Sequence, residues 1–257
     1  MLSYQLQGEG KAVVLLHGFC ESKHVWHNIV ADLSKIFKVI SIDLPGFGES
    51  ELCSDKPSIE NFARSVQDVL IHLQVESSVL IGHSMGGYVA LALAELFPSN
   101  ILGLILFHSS ATADNEEKKD KRNKSIEFVK NQGSEAFVQM LLPTLFKEDN
   151  KTVFASELAQ LIAQGSIILP QAIIDALTAM RDRKDRTEIL KNVEFPVLYI
   201  IGKFDAAIPL QTSLEQCHFA KDSQAYFLSE SGHMGMIEEP SKSAKVILNF
   251  LMVVYQN

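Results

Sequence analysis

Short apolar runs recur along the chain, with amphipathic stretches between them. Residues 12–18 (AVVLLHG), 38–44 (KVISIDL), 78–84 (SVLIGHS), 101–107 (ILGLILF) and 197–202 (VLYIIG) are almost continuously apolar. A strand covered on both faces reads this way, whereas a strand with one wet face alternates. Residues 225–229 (AYFLS) are a weaker candidate for a last strand, and SYQLQGEG near the start fits an edge strand ended by a glycine turn. Between the runs the period changes. In residues 57–73, Ile59, Phe62, Ala63, Val66, Val69, Leu70 and Leu73 share one helical face, and Ser58 sits at the N-cap position. Residues 85–97 are apolar nearly all round, which predicts a buried helix ending before Pro98. Residues 240–255 predict a C-terminal helix lying on the sheet. Alternating strand and helix predicts the α/β class, a mostly parallel sheet with helices on both faces.

The rhythm fails between residues 111 and 193. Helical patterns around 123–146, 152–164 and 170–181 are punctuated by Gly133, Pro143, Gly165 and Pro170, and no convincing strand interrupts them. A parallel crossover needs only a dozen or more residues. The excess predicts a helical lid inserted between two strands, so that residues 1–110 and 194–257 form the core and 111–193 the insertion. The charge run EEKKDKRNK (116–124) mixes signs and reads as a solvated helix face. Arg181, Arg183 and Arg186, interleaved with Asp182 and Asp185, read the same way.

One motif carries chemistry. Gly82-His83-Ser84-Met85-Gly86 follows an apolar run and precedes a helix. That is the context in which a G-x-S-x-G pattern makes a sharp strand-to-helix turn and exposes the serine Oγ. A serine hydroxyl needs a base to take its proton. His233, in a loop after the last strand candidate, is the candidate base. His83 points away from its neighbour at the turn, and His24, His27, His72 and His218 fall in or beside helices. His108 ends a strand at the same edge and is a candidate for lining the pocket. The base needs an acid to hold its tautomer. Asp205, after residues 197–202, supplies the chain order Ser84, Asp205, His233, and Asp114 is the rival acid. Asp43 precedes a Pro45-Gly46 turn and is expected to organise that loop. Two backbone N–H groups, of Met85 and of Phe19 in His17-Gly18-Phe19, are the candidate oxyanion donors. With His233 as base, the rate is expected to rise through a pKa near the ordinary value of about 6.5.

These segments resemble the α/β-hydrolase superfamily: LLHGFCESKHVW, IDLPGFGES, IGHSMGGYVALALAELFP, IIGKFDAAIP and SGHMGMIEEP. The resemblance implies an eight-stranded, mostly parallel sheet, a helical cap above the serine, and the triad Ser84, Asp205, His233. Dehalogenases and epoxide hydrolases of this fold place aspartate at the nucleophile position, so serine disfavours those chemistries. The stretch AIIDALTAMRDRKDRTEILKNVEFPVLYIIGKFD is similar to small carboxylesterases of the group. The expected reaction is hydrolysis of a small carboxylic ester through an acyl-enzyme. The alternatives are a thioesterase, a lactone or C–C bond hydrolase or a lyase acting on a metabolite carboxylate, or a slow-turnover ligand sensor on the same scaffold. Phe128, Phe137, Met140, Leu141, Leu145 and Phe146 fit either the pocket roof or the packing of the insertion itself.

Composition narrows the field further. With 257 residues, 47% of them apolar, the chain is large enough to fold on its own core without disulfides or metal. The formal charge of −8 argues against a general nucleic-acid binder. Cys20, Cys53 and Cys217 are odd in number and lack metal-type spacing, which fits free thiols in a reducing compartment. No signal-peptide pattern opens the sequence and no apolar run approaches the ~20 residues of a membrane span. A cytoplasmic protein with no membrane partner is expected. No metal-ligand cluster or phosphate-binding loop is present, and Gly8-Glu9-Gly10 precedes a strand rather than following one, so neither metal nor cofactor is expected. The sequence does not indicate the oligomeric state.

Overall fold

The structure, a computed structural model, describes residues 1–53 and 55–256. Seven strands form one sheet: β1 (Tyr4–Gln7), β2 (Ala12–Leu16), β3 (Lys38–Ile42), β4 (Ser78–His83), β5 (Ile101–Phe107), β6 (Val197–Gly202) and β7 (Ser223–Leu228). Their order is β1-β3-β2-β4-β5-β6-β7. β1 runs antiparallel to β3, and all other pairings are parallel. The eight strands implied by the family resemblance are therefore seven here among the described residues. Every residue of β2, β4 and β6 is buried, which is why those runs lack a polar alternation. The edges β1 and β7 keep partly exposed faces.

Eleven α-helices occur among the described residues: α1 (His27–Leu33), α2 (Ile59–His72), α3 (Met85–Leu96), α4 (Glu116–Leu141), α5 (Asn150–Val153), α6 (Ala155–Ser166), α7 (Pro170–Arg181), α8 (Thr187–Asn192), α9 (Leu210–Gln216), α10 (Gly235–Glu238) and α11 (Pro240–Gln256). Ser58 caps α2, its Oγ accepting from the Asn61 N–H. α2 packs on α3 and α1 on α11, so the sheet is flanked by helices. Trp26, fully buried, packs edge-on to Phe107 at the end of β5. Asp43 ties its loop together, accepting from the Lys23 N–H, the Lys23 ammonium and the Glu49 N–H.

Helices α4 to α8 all fall between β5 and β6. α4 breaks at Gly133, where φ is 80°, and packs against α6 and α7. In the segment 116–124 Lys118, Lys119 and Arg122 are half-buried and the rest is exposed; of the three, Arg122 turns to the cavity described below. The arginines that end this region are not a solvated face. Arg186 is buried and reaches back to the core, donating to Glu95 Oε2 at 3.0 Å and Glu60 Oε1 at 2.7 Å. Arg183 is buried too, donating to the carbonyls of Met180 and Thr112, with its guanidinium 4.1 Å from the Tyr88 ring centre. Periodicity could not show this, because the partners lie on α2, α3 and the β5–α4 loop, far away in sequence. Only Arg181 stays at the surface, on Asp182. No single helix among the described residues is long and apolar enough to cross a membrane. α6 and α7 pass that test only as a pair bent by 99°, and α7 turns Ile173, Ala176, Leu177 and Met180 into the protein.

Candidate active site

Parallel α/β sheets bind ligands beyond the carboxyl ends of their strands. A cavity of about 140 Å³ opens there, and both Ser84 and His233 line it. A larger groove of about 970 Å³ lies at the opposite end, beside the starts of β5, β6 and β7, and contains none of the candidate residues. Its place in the fold, not its size, sets it aside.

Ser84 sits between β4 and α3 with φ 49° and ψ −114°, a conformation that L-residues rarely adopt. Three contacts hold it there. The Ser84 N–H donates to Phe107 O at 3.0 Å, Gly87 N–H donates to Ser84 O at 2.9 Å, and Ser109 Oγ donates to the same carbonyl at 2.7 Å. The turn is so tight that a Cβ on Gly86 would lie 2.3 Å from Leu16 O, and one on Gly82 would lie 2.4 Å from Gly86 O. Among the described residues Ser84 Oγ makes no hydrogen bond to His233. Such bonds are often long before substrate binds.

His233 and Asp205 meet directly: His233 Nδ1 donates to Asp205 Oδ2 at 2.8 Å, and both residues are buried. Asp205 Oδ1 accepts from the N–H groups of Ala207 and Ile208, which fixes the carboxylate. Burial alone would raise the Asp205 pKa, but the adjoining His233 holds it well below the ordinary carboxylate range. Burial alone would lower the His233 pKa, but Asp205 outweighs it and the net shift is upward from 6.5. The rising limb expected near 6.5 therefore moves to higher pH.

The structure places the remaining candidates as follows. Phe19 lines the cavity, with Met85 directly after Ser84, and among the described residues neither N–H donates to a protein acceptor. His17 holds this loop: its Nδ1 donates to Gly18 O and its Nε2 accepts from the Leu44 N–H. His108 does not line the pocket. It is buried beside Asp205, and its Nδ1 accepts from the Gly202 N–H at 3.0 Å. Burial pushes its pKa down to about 4. His108 Nδ1 also lies 3.2 Å from Asp205 Oδ2. Met140 is 54% exposed and also misses the cavity. Phe128 is half-buried, off the cavity, against Phe137. Phe137 in turn packs edge-on to Phe19. Of the roof candidates only Leu141 and Leu145 reach the cavity. Asp114, the rival acid, is bound to Arg122 and Arg183 instead of a histidine.

His108, Asp205 and His233 bring potential metal-ligand atoms within 4.8 Å of one another. Two of the three are already joined by the His233–Asp205 hydrogen bond.

Sequence reasoning missed two carboxylates. Glu21 Oε2 accepts from the Gly18 N–H and lies 3.0 Å from His83 Nδ1, while His83 Nε2 donates to His233 O at 2.9 Å. Glu238 accepts from the N–H groups of Gly232, Met234 and Lys147 and from the Asn150 side chain. One buried side chain thus binds the histidine loop to the segment before α5. Both residues belong to segments quoted for the family resemblance, but nothing in spacing marks their hydrogen bonds.

The profile of the alpha/beta hydrolase fold matches residues 11–240. The chain belongs to this family. The hydrolase is 31% identical over 246 residues to the pimeloyl-[acyl-carrier protein] methyl ester esterase of Pseudoalteromonas atlantica, covering 87% of this chain and 91% of that one. It is 26% identical to the 2-hydroxy-6-oxo-6-(2'-aminophenyl)hexa-2,4-dienoic acid hydrolase of Metapseudomonas resinovorans, covering 96% and 86%. A thermophilic esterase from Thermogutta terrifontis superposes on the hydrolase with a TM-score of 0.94 at 29% identity, covering 98% and 93%.

Proposed function

We propose that the protein hydrolyses a small carboxylic ester with Ser84 as nucleophile, His233 as general base and Asp205 as the acid that orients it. The observation that carries this reading is one cavity lined by a strained serine and by a histidine donating to a buried aspartate at 2.8 Å. Ser84 Oγ attacks the acyl carbon as its proton passes to His233 Nε2. The carbonyl π electrons move onto oxygen, which the Phe19 and Met85 N–H groups receive. Each such donor is worth about 3–4 kcal/mol in the transition state. Collapse of the tetrahedral species expels the alcohol, which takes the proton from His233 and leaves acyl-Ser84. Water then gives a proton to His233, attacks the acyl carbon, and releases the acid and the free serine. Residues 111–193 act as a cap, since Arg122, Leu141, Leu145 and Met180 lie on the cavity wall.

The esterases from Pseudoalteromonas atlantica and Thermogutta terrifontis support an ester substrate. The relative named for a dienoic acid supports hydrolysis at another carbonyl as the second reading. A p-nitrophenyl ester series, acetate to decanoate, tests the first. Wild type turns over short esters, and Ser84→Ala loses about 10⁴-fold or more in kcat/KM. Fluorophosphonate labelling of Ser84 without ester turnover selects the second reading. Absence of both in folded protein overturns the nucleophile assignment.

A further inference from the structure

One cation on the cavity wall has no part in the hydrolytic steps. Arg122 lies on α4 inside a largely solvated charge run, yet its side chain is only 20% exposed and lines the cavity. Its Nε donates to Asp114 Oδ2, which fixes the direction of the guanidinium. Among the described residues Nη1 and Nη2 have no acceptor. Asp114 also faces Arg183, 2.7 Å away, so one carboxylate stands against two guanidinium groups. Arg183 directs its own Nη groups to Asp114 and to the carbonyls of Met180 and Thr112, and Asp185 adds a second negative charge near it, so the unused donors on this wall are those of Arg122. Glu21, the other charged residue on the wall, is turned to the Gly18 N–H and His83. The wall between is apolar, with Leu141, Leu145 and Ile208. Asp114 meets only the Nε side of this guanidinium, which leaves the Nη side for a ligand in the cavity. Two parallel N–H donors at its tip match the two oxygens of a carboxylate.

We propose that Arg122 anchors a carboxylate carried by the substrate, so that the preferred ester is one with a free acid group, such as a half-ester of a short dicarboxylic acid. The proposal rests on the esterase reading above and deepens it. The 140 Å³ cavity holding both Ser84 and Arg122 favours a short spacer between the ester and the acid.

The test compares mono-p-nitrophenyl glutarate with p-nitrophenyl hexanoate, a neutral ester of similar length. Wild type prefers the glutarate. In Arg122→Gln the glutarate-to-hexanoate ratio of kcat/KM falls about 10- to 100-fold, the weight of a charge-assisted pair. Arg122→Lys restores part of it. A purely structural role would lower both substrates together and leave the ratio unchanged, which overturns the proposal. So does a wild type that prefers hexanoate. If Arg122→Gln fails to fold, the wild-type ratio itself must fall between low and high salt. A binding measurement separates this proposal from the esterase reading. Glutarate alone raises the Tm of wild type but not of Arg122→Gln. That result with no turnover of any ester keeps the anion site and sinks the esterase. Ester turnover with no glutarate effect in either protein sinks the anion site alone.

Discussion

The strand ends of the core and the helices of residues 111–193 meet at the same cavity, but they are held in place by different physics. At the Ser84 turn the fixing contacts are backbone to backbone and sterically closed: Gly86 has no room for a methyl group, and Ser84 hangs on the Phe107 carbonyl. The insertion packs apolar faces of its helices inward and is tied down further by side-chain charge. Arg186 binds α8 to α2 and α3, Arg183 and Arg122 share Asp114, and Glu238 joins the histidine loop to the segment before α5. Steric closure is indifferent to pH, whereas charge pairing depends on the ionisation of both partners, and its partly exposed members also feel salt. Under the proposed function, the chemistry falls to the rigid half and substrate choice to the insertion.

Three changes sharpen or break that contrast. The largest effect falls on the core. Asp205→Asn removes the acceptor that holds the His233 tautomer, and kcat falls about 10⁴-fold with the Tm little changed. A large loss of Tm instead would mean that Asp205 is chiefly a structural residue. The second falls on the insertion. Arg186→Met leaves Glu60 and Glu95 with only the exposed Lys184, 3.8 and 3.9 Å away, at a cost of about 2–3 kcal/mol, near the low end for breaking a buried pair because both acids keep some water. Thermal melting shows a drop of about 5–10 °C, while fluorophosphonate labelling of Ser84 persists below the transition. Loss of labelling in the folded variant would show that the insertion shapes the nucleophile as well. The smallest is the pH profile. The base works neutral, so kcat/KM falls as pH falls through the His233 pKa. Asp205 raises that pKa above 6.5, so the midpoint of the limb lies above 6.5 in wild type. It moves down in Asp205→Asn, measured on the variant's residual rate. A wild-type midpoint at or below 6.5 would show that burial outweighs Asp205.

The parts of the site legible in the sequence are those that depend on local backbone. Ser84 declares itself because a turn this sharp demands Gly82 and Gly86 around it. Asp205 and His233 declare themselves because they follow strands at the same end of the sheet. His108 shares that signature, ending β5 at the same edge, yet it lies behind Asp205 with its Nδ1 on Gly202. Position along a strand gives the edge on which a residue sits, and not whether its ring faces the cavity or the core.

Strand and helix order, the parallel sheet, the insertion point and the strained serine follow from periodicity and from glycine placement, which act over a few residues. Tertiary structure alone decided which member of a mixed charge run meets the cavity, since Arg122 turns inward where Asp114 is there to receive it. It also decided that Arg183 and Arg186 are buried, that Met140 faces solvent, and that Glu21 and Glu238 brace the site. Each of these depends on a partner far away in sequence. A charge's burial is settled by whether that partner arrives, and local pattern carries no record of it.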